Sequence, residues 1–198
     1  GQVVKLTASD AAAGDRFGSS VAIDNDTVVV GAYWEDGAGI DRGAAYVFER
    51  NYDRSNPSVP KADNWGQVAK LIASDPGNYD DFGFSVSISD DTIVVGVPWE
   101  EGSVGADRGA AYIFVRNQGG PDNWGQLKKL LASDGQSYAY FGRSVSISGD
   151  TIVVGAFRDG TSGSERGAAY IFERNGSGGQ ADGLRRRRRR PFRLLGGH

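Results

Sequence analysis

The sequence predicts an all-β fold of three four-stranded antiparallel meanders, the blades of a partial β-propeller or arc. Three observations carry that reading. One passage is written three times, beginning at Phe17-Gly18, Phe82-Gly83 and Phe141-Gly142, at spacings of 65 and 59 residues. Such a period implies stacked units, none of which buries its apolar face alone. The chain also combines 30 glycines in 198 residues with short β-branched runs. Finally, each copy holds four strand-like segments separated by turn chemistry, as a propeller blade requires.

The elements follow in order. The first strand of each copy alternates apolar with small polar residues, at Val21/Ile23, Val86/Ile88 and Val145/Ile147, the period-2 signature of a strand. A tight turn of Asx, Ser or Gly follows: Asp24-Asn25-Asp26, Ser89-Asp90-Asp91, then Ser148-Gly149-Asp150. Next comes a continuous apolar run such as Ile93-Val94-Val95, predicted to be buried on both faces. The third strand, Gly43–Phe48 and its repeats Gly109–Phe114 and Gly167–Phe172, runs from small residues to large ones. That taper suits a strand whose narrow end meets a crowded axis. The fourth opens on a tryptophan, Trp65–Leu71 and Trp124–Leu130. Each tryptophan is expected to cover the outer edge of its blade. Gly1-Gln2-Val3-Val4-Lys5-Leu6 matches the same segment without the tryptophan, so residues 2–9 read as an outer strand of a preceding or closing blade.

The Phe-Gly pairs, the Val-Val-Val-Gly-Ala type runs and the Gly-Ala-Ala-Tyr-(Val/Ile)-Phe segments resemble the FG-GAP repeats that build the N-terminal propeller of integrin α subunits. They are most similar to the bacterial variety. The resemblance spans 1–175 and implies blade cores at about 17–73, 82–132 and 141–174. It also implies that the strand after Phe-Gly lies innermost and the tryptophan strand outermost. The chain departs from the pattern at the proline of Gly-Ala-Pro: only Pro98 is present, with Tyr33 and Phe157 in the other copies. Integrin-type propellers often hold Ca²⁺ between the first and second strands. Here that loop is too short to supply the several oxygens calcium takes, and the site is not carried over.

Three blades are fewer than the four to eight that close a ring. The chain is therefore expected to be part of a longer array or to assemble; two copies exchanging strands head to tail would close a six-bladed ring. Residues 176–198 form a Gly/Arg-rich tail, expected to be disordered, with a charge of +6 against −9 for the rest. The acidic body argues against nucleic acid as its partner. No apolar run approaches the ~20 residues of a membrane helix.

Acidic residues gather in two sets of loops that a four-stranded meander brings to one side. One set holds Asp10, Asp15, Asp75, Asp80, Asp81 and Asp134. The other holds Glu35, Asp36, Asp41, Glu100, Glu101, Asp107, Asp159 and Glu165. Trp34, Trp99, Phe157, Tyr79, Tyr138 and Tyr140 accompany them. The candidate ligand-binding residues are Trp34, Trp99, Phe157, Tyr79, Tyr138, Glu35, Asp36, Glu100, Glu101 and Asp159. Asp10, Asp15, Asp41, Asp75, Asp81 and Asp107 are the candidate metal ligands, with Ca²⁺ the cation considered. The competing reading is that these acids cap turns and the aromatics pack locally.

No catalytic constellation emerges. The chain has no cysteine, its one histidine is His198, and no carboxylate is expected in a setting that raises its pKa. The resulting expectation is a non-catalytic extracellular or cell-surface recognition and scaffold module for a protein partner. A carbohydrate-binding propeller, or an accessory domain of a larger secreted enzyme, is the alternative.

Overall fold

The computed structural model describes residues 1–50, 65–101, 107–160, 166–174 and 185–186. Among these there is no helix, and no segment long and apolar enough to cross a membrane as one. Twelve strands form three four-stranded antiparallel sheets, each in chain order. Blade one holds β1 (Ser20–Asp24), β2 (Thr27–Ala32), β3 (Ala44–Arg50) and β4 (Trp65–Leu71). Blade two holds β5 (Ser85–Ser89), β6 (Thr92–Val97), β7 (Ala110–Arg116) and β8 (Trp124–Leu130). Blade three holds β9 (Phe141–Ser148), β10 (Thr151–Ala156), β11 (Ala168–Glu173) and β12, which is only Arg185–Arg186. Apart from that pair, the tail from 176 lies outside the described residues, as does Glu165.

Turn chemistry sets the register. Asp24 pairs with Thr27, Ser89 with Thr92 and Ser148 with Thr151, leaving two-residue hairpin loops. The first loop residue is left-handed each time: Asn25 (φ 50°), Asp90 (φ 51°) and Gly149 (φ 54°). Asn, Asp and Gly tolerate that conformation best. Residues 1–8 form no strand.

Apolar alternation then stacks the blades. The trailing face of blade one (Val29, Ala45, Val47, Leu71) packs on the leading face of blade two (Val86, Ile88, Ile93, Val95, Tyr112, Phe114). The trailing face of blade two (Val94, Ala111, Ile113, Leu130) packs likewise on Ile147, Ile152, Val154 and Phe172 of blade three. Leu6, Ala8 and Phe17 cover part of blade one's leading face.

The two-sided burial expected of every second strand holds for β2 and β6 but not for β10. Val29 and Val94 are fully buried, whereas Val153 is 36 % exposed. No described blade packs behind it. The tryptophans close the outer edges as expected: Arg50 lies 5.2 Å from the Trp65 ring centre and Arg116 lies 4.6 Å from that of Trp124.

Candidate recognition face

The connections from second to third strand and from one blade to the next do converge on one side, and the backbone zips them together. The amide of Tyr79 donates to the Ile40 carbonyl (2.9 Å), that of Phe82 to Arg42 (3.0 Å), and that of Phe141 to Arg108 (2.9 Å). Single parallel bridges join Gly43 to Phe82 and Gly109 to Phe141. Neighbouring loops are therefore held by main-chain bonds.

On this scaffold the aromatic side chains form one continuous ladder across three blades. Trp34 meets Tyr33 edge-on at 5.4 Å, Tyr33 meets Phe84 at 5.4 Å, and Phe84 meets Trp99 at 5.0 Å. Trp99 meets Tyr140 at 5.9 Å, and Tyr140 stacks on Phe157 at 5.4 Å. Each such pair contributes about 0.5–1.5 kcal/mol beyond its buried area. Guanidinium groups interleave: Arg16 lies 4.5 Å over Trp34, and Arg143 sits between Phe84 (5.0 Å) and Phe157 (4.8 Å). Arg158 lies 5.7 Å from the centre of Tyr140.

Trp34, Trp99 and Phe157 thus belong to one track. Tyr79 and Tyr138 stand outside it, more than half exposed. Sequence reasoning missed Phe84 and the arginines. Phe84 follows Phe82-Gly83 where the other copies have Ser19 and Arg143, so the departures from the repeat were the available signal.

The carboxylates divide into two groups. Glu35 and Glu100 are buried, and each accepts from a lysine of the fourth strand. Lys70 Nζ donates to Asp10 (2.6 Å) and Glu35 (2.8 Å), while Lys129 Nζ donates to Asp75 (2.8 Å) and Glu100 (2.7 Å). Each lysine lies opposite the tyrosine of its blade, Tyr46 or Tyr112, in the β-ladder. Burial works against both ammonium charges, but the hydrogen bonds to the acids outweigh it and both pKa values are raised. In blade three the Tyr170 hydroxyl, which has one hydrogen to donate, lies within hydrogen-bond distance of both Asp159 (2.5 Å) and Asp134 (3.1 Å). Of the candidate ligand-binding acids, Asp36 and Glu101 are the exposed ones.

The remaining acids hold loops. Asp15 accepts from the Ala12 amide (2.7 Å) and Asp80 from the Gly77 amide (2.6 Å). The Asp41 amide donates to Asp36 (3.0 Å).

The expectation that no carboxylate has a raised pKa is corrected here. Burial pushes Asp80 up to about 6, and burial followed by the charges of Asp41 and Asp80 pushes Asp81 up to about 7. Burial and Glu101 also raise Asp107. The sequence hid this because Asp80 and Asp81 become interior only when the loop folds over them, at 5 % and 8 % exposure.

Of the six candidate metal ligands, Asp10 and Asp75 face lysines and Asp15 caps a turn, while Asp41 and Asp81 are brought close to one another. Among the described residues no group of three or more His, Cys, Asp or Glu side chains is placed to hold a metal. The arrangement can present rings, guanidinium groups and scattered carboxylates to a partner.

A family model described as FG-GAP repeat matches residues 1–48, 65–114 and 124–172. No curated protein matches the chain.

Proposed function

This chain belongs to the FG-GAP repeat family, and we propose that it acts as a non-catalytic recognition and scaffold module, binding a protein partner through the aromatic face in an extracellular or cell-surface setting. The observation that carries this reading is the ladder from Trp34 to Phe157 with Arg16, Arg143 and Arg158 set into it. Tyr, Trp, Phe and Arg are the residues enriched in protein interfaces, and hot spots draw on the same set. The members fall at a few repeat positions that the three blades fill with unlike side chains, Phe84 and Arg143 at one and Tyr33, Pro98 and Phe157 at another, so the repeat itself does not require them.

The packing of the rings favours a protein over a sugar. Arg16 already lies on the Trp34 ring, and Trp99 is edged by Phe84 and Tyr140, so neither offers an open platform for a pyranose. Exposed Tyr79 and Tyr138 extend the face, with Asp36 and Glu101 at its rim.

The test is selection of displayed peptides on the whole chain, followed by binding to Trp34→Ala and to Tyr79→Ser/Tyr138→Ser variants. A loss of about tenfold or more in either variant is expected of hot-spot residues. Peptides that bind both variants as well as the parent would refute the assignment of the face. Retention on a glycan array that depends on Trp34 would replace the protein partner with a carbohydrate.

A further inference from the structure

We propose that the joints between blades receive acidic side chains of an extended partner peptide, Arg42 and Tyr79 taking one at the first joint and Arg108 and Tyr138 another at the second. This rests on the aromatic face as the recognition surface and names the chemistry of what that face binds.

The tyrosines are the first sign. Tyr79 and Tyr138 hold the same place in successive copies, three residues before Phe82 and Phe141. Both are left-handed, with φ 65° and 63°, and their exposures are 57 % and 53 %. The first copy fills that place with Gly14, at φ 109°, where a glycine is unstrained. A bulky residue there is an outlier that its surroundings must hold in place. Burial of the ring does not compensate, because each ring stands largely in solvent. The fold thus holds two aromatic rings outward against the preference of their own backbone.

An arginine faces each tyrosine loop across the joint. The Phe82 amide bonds the Arg42 carbonyl, and the Phe141 amide bonds that of Arg108, so the two joints are fixed alike. Arg42 Nε donates to Asn78 Oδ1 (3.0 Å), the residue next to Tyr79. In the second joint Ser137 stands where Asn78 does and offers no amide oxygen; Arg108 Nε is buried there without an acceptor. Among the described residues no carboxylate is within ion-pair distance of either guanidinium.

The opposite end of the sheets is built differently. There Arg50 meets Asp26 (3.4 Å), Arg116 meets Asp91 (2.8 Å) and Glu49, and Arg174 meets Asp150 (3.8 Å). Arginines at the hairpin end are matched with acids of the chain itself, whereas Arg42 and Arg108 are not. An arginine's planar fork fits a carboxylate through two parallel hydrogen bonds.

The acids of the same loops are engaged elsewhere. Asp36 accepts from the Asp41 amide (3.0 Å), and the side chains of Trp34 and Tyr140 bond Asp81 and Asp107. Asp41 and Asp81 at the first joint, and Asp107 and Glu101 at the second, still repel an incoming anion. With a formal net charge of −3, the chain offers no broad positive field to a polyanion. Discrete carboxylates met directly by each fork suit it better, with apolar residues between them lying on the tyrosines. An extended segment is the shape that visits two equivalent joints one blade apart.

The test uses the full chain and random displayed peptides. Selected peptides are expected to be enriched in Asp and Glu over the starting library. Arg108→Gln is expected to weaken them about tenfold, as the loss of a charge-assisted bond does. Replacing the responsible Glu of the peptide by Gln is expected to weaken the parent equally and Arg108→Gln no further. That replacement leaves the protein's own fold untouched, and circular dichroism checks the variants. Peptides that require Trp34 or the two tyrosines but carry no acidic excess, or bind Arg42→Gln and Arg108→Gln as tightly as the parent, would overturn this inference and leave the face standing. Peptides rich in Lys or Arg would overturn it in favour of Asp36 and Glu101. Retention on immobilised heparin lost in Arg108→Gln, with no acid dependence among peptides, would replace the carboxylate by sulfate. An empty selection, or peptides indifferent to all of these variants, would remove the face and this inference together.

Discussion

Ser20 Oγ lies 2.7 Å from the carbonyl oxygen of Gly83 in the next blade, and Gly31 beside it leaves no room for a methyl group. This contact welds one blade to the next where the sheets come closest. It also explains why two glycines that look interchangeable in the repeats, Gly31 and Gly155, carry different duties.

The first prediction follows from that difference. Gly31→Ala and Gly96→Ala drive a Cβ into backbone of the neighbouring blade, which cannot yield as a flexible side chain can. Each is expected to cost about 2 kcal/mol or more in urea denaturation, as overpacking does. The atoms nearest a Cβ on Gly155 all belong to Ser144, its movable hydroxyl the closest, and Gly155→Ala is expected to cost less than about 1 kcal/mol. Equal costs at all three positions would refute the account.

A second prediction concerns Lys129. Its ammonium sits between Asp75 and Glu100, and Glu100 is only 6 % exposed. Lys129→Met leaves a buried carboxylate without its cation and is expected to cost about 3 kcal/mol. Adding Glu100→Gln removes the stranded charge and is expected to recover part of the loss in a double-mutant cycle.

Acid pH is expected to stabilise the protein through Asp80 and Asp81. Their folded pKa values, about 6 and about 7, lie above the ordinary 3.8, so between those limits the folded state binds more protons. Stability then falls as pH rises from about 4 to 7. Asp81→Asn keeps an acceptor for the Trp34 side chain without the charge. It is expected to raise the Tm at pH 8 by a few degrees and to leave it unchanged at pH 4. A shift of the same size at both pH values would remove the carboxyl from the explanation.

Within the ladder, Phe84 is the central rung, touching Tyr33, Trp99 and Arg143. Phe84→Ala is expected to cost about 2 kcal/mol, since two ring contacts and one cation–π contact go together. A change in tryptophan fluorescence should accompany it as Trp99 gains water. Unchanged emission would mean the rungs are not coupled in solution.

Particular residues show how far the sequence could be read. The alternation of Val86 and Ile88, the turn at Asp90 and the tryptophan at the head of β8 announced a blade before any coordinates, because local periodicity and turn chemistry are written along the chain. The ladder was half legible: Trp34, Trp99 and Phe157 stood out as large rings in loops. Phe84 and Arg143 did not, since they occupy one repeat position with unlike side chains and meet only when two blades abut.

The acids show the same limit more sharply. Glu35 and Glu100 read as surface carboxylates, but the fold turns them onto Lys70 and Lys129, far along the chain. The raised pKa of Asp81 depends on Asp41 from the preceding blade. By itself, then, the amino-acid order determined the strands, their hairpins and the three-fold repetition, all set by neighbours within a few residues. Only the stacking of sheet on sheet decided which charges are buried, which rings touch and which faces remain bare, because those follow from contacts between residues some 15 to 65 positions apart.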